Sequence, residues 1–215
     1  MNLQRRIFAR LIESAAMTYS SGIISEAVLG WRLDPRITLL SELAAKDREH
    51  RRIFQVSDVI SGSLFVAAGI AARSGTSRFL TACLRTFGAA TIADALSPLD
   101  YPISHEHLRP LDRVNGSGRS LTHYAHYLTT TVAGAAATGM CLHDWLVHSD
   151  EKNSWRTVLG PAVIVAQLTG VATLVSKELM PGVVQRIQTL GFSLLCLEIA
   201  RHDQEHSVRN VPDHR

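Results

Sequence analysis

Apolar residues along this chain gather into six long runs, at about 11–30, 53–72, 79–97, 121–142, 157–176 and 183–200, with polar connections between them. No alternation of apolar and polar positions lasts long enough for a strand, and the run lengths suit helices. Turn chemistry falls between the runs: Asp34-Pro35 after the first, Ser74-Gly75 after the second, Ser97-Pro98 after the third, Pro181-Gly182 before the last. No internal repeat, low-complexity tract or linker divides the sequence. The pattern predicts an all-α fold in a single domain over residues 1–215.

Charge decides whether these helices face water or lipid. Neither the interval from Arg119 to Asp144 nor that from Arg156 to Lys177 encloses an Asp, Glu, Lys or Arg, and each is at least the roughly 20 residues that a spanning helix needs. The other runs carry a few charges: Glu13 and Glu26, Asp58, Arg85 and Asp94, Arg186 and Glu198. A charge at the centre of a span costs about 2.5–3.5 kcal/mol on the insertion scale, and far less near its end, where most of these lie. The expectation is a polytopic membrane bundle of six transmembrane helices, against the alternative of a water-soluble helical bundle. Six spans put both termini on one side. Lys and Arg divide almost evenly between the two sets of connections, so the positive-inside rule does not choose that side.

Composition changes this picture little. With 46% hydrophobic residues and a mean hydropathy of +0.09, the average is ordinary, and only the distribution is informative. The net charge of +3 comes from bases scattered through the connections and the tail. They form no stripe with interleaved aromatics, which argues against a nucleic-acid partner. Cys83, Cys141 and Cys196 lie inside apolar runs without a CxxC spacing and read as small buried hydrophobes. No HExxH, Gly-x-Ser-x-Gly or Walker loop is present. No motif requires a cofactor, although a divalent metal is compatible with the His and carboxylate set described next.

The fourth run opens on His123 and His126. On a helical wheel, Tyr127, Thr130, Gly134, Ala137, Thr138 and Cys141 share their side, whereas Leu121, Ala125, Leu128, Val132 and Gly139 fall mostly opposite. Thr130, Gly134 and Thr138 repeat at four-residue spacing, the small-residue pattern that brings membrane helices close together. The histidine face is therefore expected to point into the bundle. Alternating spans would collect Glu26, Glu42, Asp58, Asp94, Asp100, His105, His107, His123, His126 and Glu178 at one membrane face, and a thinner set, His143, Asp144 and Glu198, at the other. Asp94 lies about one turn before its helix ends and His126 about one turn into the next, so the two are expected as neighbours at similar depth. Three roles remain open for such a cluster: interhelical hydrogen bonds that fix register, a binding or proton-handling pocket, or a metal-dependent acid/base site.

The stretches 37–70 (ITLLSELAAKDREHRRIFQVSDVISGSLFVAAGI), 93–102 (ADALSPLDYP) and 117–127 (SGRSLTHYAHY), in that order, resemble prokaryotic membrane proteins grouped as domain of unknown function 998. The resemblance covers nearly the whole chain. It implies six membrane helices, an SEL element at Ser41-Glu42-Leu43, an Asp opening the second span at Asp58, a D-x-x-x-P-x-D element at Asp94, Pro98 and Asp100, and a His early in the fourth span at His126. Some relatives carry a cysteine pair in the connection that here holds Tyr101. A disulfide there would place that connection outside and the N-terminus in the cytoplasm. The function expected is binding of a small molecule, lipid or membrane-protein partner at the polar cluster of a cell-membrane protein, through Ser41, Glu42, Asp58, Asp94, Asp100, His123 and His126. The alternative is a membrane-embedded hydrolase or cyclase acting on a lipid-like substrate, with Asp94, Asp100, His123 and His126 as acid/base groups or metal ligands and Ser41 or Glu42 assisting.

Overall fold

The computed structural model of the chain describes residues 3–72, 76–104, 119–149, 155–173 and 176–209. Among them there are six α-helices and no strand: α1 Leu3–Val28, α2 Arg51–Ala71, α3 Arg78–Leu96, α4 Leu121–His148, α5 Arg156–Ala172 and α6 Pro181–Arg209. Each apolar run of the sequence has become one helix. A short 3-10 turn, Leu40–Ala44, sits in the connection after α1. Each helix packs against the ones before and after it in the sequence, and α6 returns to α1, so the six form a closed ring.

Among the described residues, three helices are long and apolar enough to cross a membrane: α2, α3 and the Pro181–His202 part of α6. This differs from the sequence expectation, whose two strongest spans were the charge-free runs. α4 carries no formal charge before Asp144, but His123, His126, five threonines, two glycines and two tyrosines in its first two-thirds are polar or nearly neutral in hydropathy; freedom from charge is not apolarity. α5 is apolar but short, ending at Ala172 after 17 residues, or about 25 Å against a hydrocarbon core of roughly 30 Å. α1 starts earlier than its apolar run and takes Arg5, Arg6 and Arg10 into the helix.

The centre of the ring is filled by aromatic rings. Tyr19 of α1, Phe65 of α2, Phe87 of α3 and Phe192 of α6 meet with centroid separations of 4.7 to 6.5 Å, several of them edge to face. Pairs of this geometry add about 0.5–1.5 kcal/mol each beyond the area they bury. In a bilayer, where lipid tails are as apolar as these rings, dense packing of this kind rather than escape from water holds helices together. Several threonine hydroxyls inside the helices are satisfied locally: Thr91 donates to the carbonyl of Phe87, Thr131 to Tyr127 and Thr138 to Gly134.

Two glycines set the α2–α3 crossing. A Cβ placed on Gly62 would lie 2.6 Å from the carbonyl oxygen of Gly88, and one on Gly88 would strike the carbonyl of Gly62. Only glycines allow these backbones to touch. The expected stripe on α4 does not act this way: a Cβ on Gly134 would meet nothing within 4 Å, and Thr130 is exposed. Gly139, expected on the outer side, instead lies against α3, where its Cβ would come 3.0 Å from the Cys83 sulfur. The buried residues of α4 are His123, His126, Ala136, Ala137, Met140, Cys141 and Asp144; the expected face thus holds at His123, His126, Ala137 and Cys141, but its centre is rotated away from His123.

α1 and α6 are joined by a buried ion pair. The Arg186 guanidinium is bidentate to Glu26, with Nε–Oε2 at 2.9 Å and Nη2–Oε1 at 2.5 Å, and its Nη1 donates to the carbonyls of Pro35, Thr38 and Gly182. Glu26 is 2% exposed and Arg186 8%. Arg186→Met should lower the unfolding free energy by about 3–5 kcal/mol, because it leaves a buried carboxylate alone, whereas the double change with Glu26→Met should cost much less. Thermal melts in detergent will separate the two. In the same assay Gly88→Ala should cost about 1–3 kcal/mol through overpacking, while Gly134→Ala should be neutral or slightly stabilising.

Candidate functional site

The polar face is built from three side-chain groups, all on connections or helix ends at one end of the ring. The first is the 3-10 turn. Glu42 is 1% exposed, and its carboxylate accepts the backbone N–H of Leu39 at 3.2 Å, the N–H of Ser104 at 2.9 Å and the Ser104 hydroxyl at 2.5 Å. Glu42 thus caps its own turn and ties the connection after α1 to the one after α3. Ser41 is half-buried and makes no side-chain hydrogen bond among the described residues.

The second group sits where α4 begins. Ser120 is the N-cap of α4, and Asp100 holds it from the preceding connection, accepting the Ser120 N–H at 2.8 Å and its hydroxyl at 2.7 Å. A carboxylate in this position also complements the positive end of the helix dipole. Lys46 reaches in from the first connection, its Nζ lying 2.7 Å from Asp100 Oδ1, 3.0 Å from Ser120 Oγ and 2.7 Å from Thr122 Oγ1. Partial burial pushes the Asp100 carboxyl up, but the hydrogen bonds from Lys46 and Ser120 and the Lys46 charge outweigh it and hold the pKa down at about 2. His123 is fully buried beneath this group. Its Nδ1 accepts the backbone N–H of Asp100 at 3.2 Å, which leaves the ring proton on Nε2, 3.2 Å from the Tyr127 hydroxyl. Tyr101 and Tyr127 flank the ring, each with its centroid at 5.4 Å.

The third group lies deeper, between α3 and α4. Asp94 Oδ1 accepts hydroxyl protons from Thr129 at 2.5 Å and Thr130 at 2.9 Å, and His126 Nδ1 stands 3.1 Å from the same oxygen. His126 is 5% exposed, and despite that distance its Nδ1 makes no hydrogen bond. Asp94 is less enclosed, with 17% of its side chain exposed, and Thr130 beside it is exposed. Asp58, on α2, lies within electrostatic range of Asp94, and Tyr19 within range of both. The Gly62–Gly88 contact places them together: Asp58 is one turn from Gly62 and Asp94 is under two turns from Gly88, both toward the same face.

The seven residues singled out by sequence are therefore distributed over three adjacent sites rather than gathered around one point. Asp94 pairs with His126, and Asp100 with His123. Among the described residues no three His, Cys, Asp or Glu side chains are grouped as metal ligands would be. His105 and His107 lie outside the described residues, and Glu178 is exposed. Sequence reasoning missed the residues that complete the groups: Lys46, Ser104, Ser120, Thr129 and Thr130, and the partnership of Glu26 with Arg186. A signal existed for the last, since Glu26 in the first apolar run and Arg186 in the last are charges of opposite sign. At the opposite end, Asp144 Oδ1 lies 3.3 Å from His148 Nδ1, and the ring of His148 meets that of His202 edge-on at 4.7 Å.

The family described as Protein of unknown function (DUF998) matches residues 14–202. No curated protein and no solved structure matches the chain.

The Asp100 clasp has a pH signature. A carboxyl held at about 2 when folded, against about 3.9 when unfolded, contributes stability that is complete above pH 4 and lost as pH falls through 2. Asp100→Asn should lower the melting temperature at neutral pH and flatten its decline between about pH 4 and 2, as followed by circular dichroism in detergent.

Proposed function

The chain belongs to the DUF998 family, whose members have no known function, and we propose from the site itself that it is a multi-pass membrane protein that binds the polar head group of an amphiphile in a lateral notch between α3 and α4. All six helices cross or line the membrane in this reading, with both termini in the cytoplasm. The observation that carries it is the Asp94–His126 contact. A carboxylate at bilayer depth is costly unless it is paired, yet Asp94 stays partly open beside the exposed Thr130, and the buried His126 presents a ring nitrogen without a hydrogen bond. Exposed apolar side chains border the opening: Leu96 and Leu128. Polar acceptors set in an apolar rim suit a molecule with a head and a tail.

A binding role is better supported than hydrolysis. Nucleophilic catalysis needs a hydroxyl that gives its proton to a base, but the Thr129 and Thr130 hydroxyls bond the Asp94 carboxylate, Thr129 also bonds the backbone carbonyls of Ala125 and His126, and neither hydroxyl bonds the His126 ring. Groups so arranged present acceptors to a ligand; they do not activate a nucleophile.

Mass spectrometry of the purified protein under native conditions tests this. The wild type should retain an amphiphile through mild delipidation. His126→Gln and Thr130→Val should lose most of it while melting within a few degrees of the wild type, and Val132→Leu, on the exposed side of α4, should retain it. Equal retention by all four proteins would remove the notch as the site.

A further inference from the structure

We propose that a second lipid site lies at the other end of the ring, where Arg6 and Arg10 of α1 bind the phosphate of an anionic phospholipid; the proposal rests on reading the chain as a multi-pass membrane protein, and not on the notch. The two arginines line one open groove on α1, together with Ile7, Leu11 and Ser14. Both are exposed, and their four-residue spacing sets them side by side on one helix face. Arg6 makes no hydrogen bond or ion pair among the described residues, and Arg10 spends one nitrogen on an exposed contact to Glu13 at 3.2 Å. Arg6 lies in the first turn of α1, which contains no acid, so the positive end of the helix dipole adds to the two guanidinium charges.

The charge balance of this end favours an anionic partner. The acids Glu13, Asp144 and Glu198 each have a basic neighbour already: Arg10, His148 at 3.3 Å and Arg201 at 3.7 Å. Arg6, Arg78 and Arg85 hold no carboxylate among the described residues; the Nε of Arg85 donates instead to the carbonyl of Gly69 at 3.0 Å. At the opposite end Arg36, Lys46, Arg48 and Arg186 each hold one. With both termini in the cytoplasm, the unpaired cations face the leaflet whose surface is negative.

The face below the arginines suits a lipid rather than a free anion. Ser14, Met17 and Ile24 lie within about 40° of Arg10 around the helix, and Met17 and Ile24 are exposed. From Arg10 to Ile24 is about 21 Å of helix, enough to carry an acyl chain through half of a hydrocarbon core of roughly 30 Å. A choline or ethanolamine head would bring its own cation against two guanidinium groups, so a head group with net negative charge is preferred.

The full-length protein in a non-ionic detergent is titrated with dioleoyl phosphatidylglycerol and with dioleoyl phosphatidylcholine, and bound lipid is counted by native mass spectrometry. Phosphatidylglycerol should bind at least roughly tenfold more tightly than phosphatidylcholine. Arg6→Gln and Arg10→Gln should each weaken it about fivefold, the contribution of one arginine beside an anionic surface, and should leave phosphatidylcholine unchanged. Both variants should melt with the wild type in lipid-free detergent, because both side chains are exposed. Arg201→Gln removes the same charge from the same end outside the groove and should bind phosphatidylglycerol as the wild type does. Equal weakening by Arg6→Gln and Arg201→Gln overturns the groove in favour of diffuse attraction to the whole end. Equal binding of the two lipids overturns the anionic partner. Stabilisation by inorganic phosphate as large as that by phosphatidylglycerol overturns the lipid in favour of a free anion. A preference abolished by His126→Gln and kept by Arg6→Gln moves the lipid to the notch and overturns this site alone. Recovery of the protein in the soluble fraction without detergent overturns the membrane reading itself.

Discussion

The buried pair of Glu26 and Arg186 is the contact on which the rest of the architecture depends. A ring of six helices is closed only where the last meets the first, and that seam carries a carboxylate and a guanidinium with almost no exposure to solvent. Two isolated charges there would be intolerable, and their bidentate geometry makes them tolerable together. The remaining guanidinium donors reach the carbonyls of Pro35 and Thr38. The seam thereby fixes the connection after α1, and with it the 3-10 turn that presents Glu42. From Glu42 the chain of contacts passes to Ser104, and from Lys46 to Asp100 and the start of α4. One ion pair thus orders two connections of the same face.

Depth is controlled by a different device. The bare backbones of Gly62 and Gly88 bring α2 and α3 together in the middle of the bundle, just beside the ring cluster of Tyr19, Phe65, Phe87 and Phe192. This close approach carries Asp58 and Asp94 toward each other one to two turns farther along. The rings seal the interior below, so polar chemistry on this side is confined to the outer third of the bundle. Rigid packing beneath and hydrogen-bonded connections above leave the α3–α4 boundary as the place where a carboxylate, that of Asp94, stays partly open.

Much of this organisation was legible in the sequence. All six helices follow from apolar run length and turn residues, and the depth of Asp94 and His126 follows from their distance to helix ends. Charge-free composition misled where polarity is uncharged: the threonines and histidines of α4 lower its hydropathy without adding a charge, which the hunt for Asp, Glu, Lys and Arg overlooks. The orientation of α4 was misjudged for a physical reason. His123 lies under the connection that carries Asp100 and Tyr101, at the very start of the helix, so centring the inner face on it rotates Gly134 inward and Gly139 outward. Partnerships between residues far apart in the chain, such as Glu26 with Arg186 or Lys46 with Asp100, follow no spacing rule. They depend on how the helices circle, which local pattern does not encode.

The closed ring also bears on the order in which the protein can be made. Synthesis delivers α1 first and α6 last, so Glu26 is made long before its guanidinium exists. Throughout that interval α1 has its acid and the surface that α6 will cover without their partners. Arrival of α6 neutralises the acid and seats Phe192 among the three rings already present. A chain cut short anywhere before Arg186 therefore retains an uncompensated acid on its first helix, a mark by which quality control can tell an unfinished molecule from a finished one.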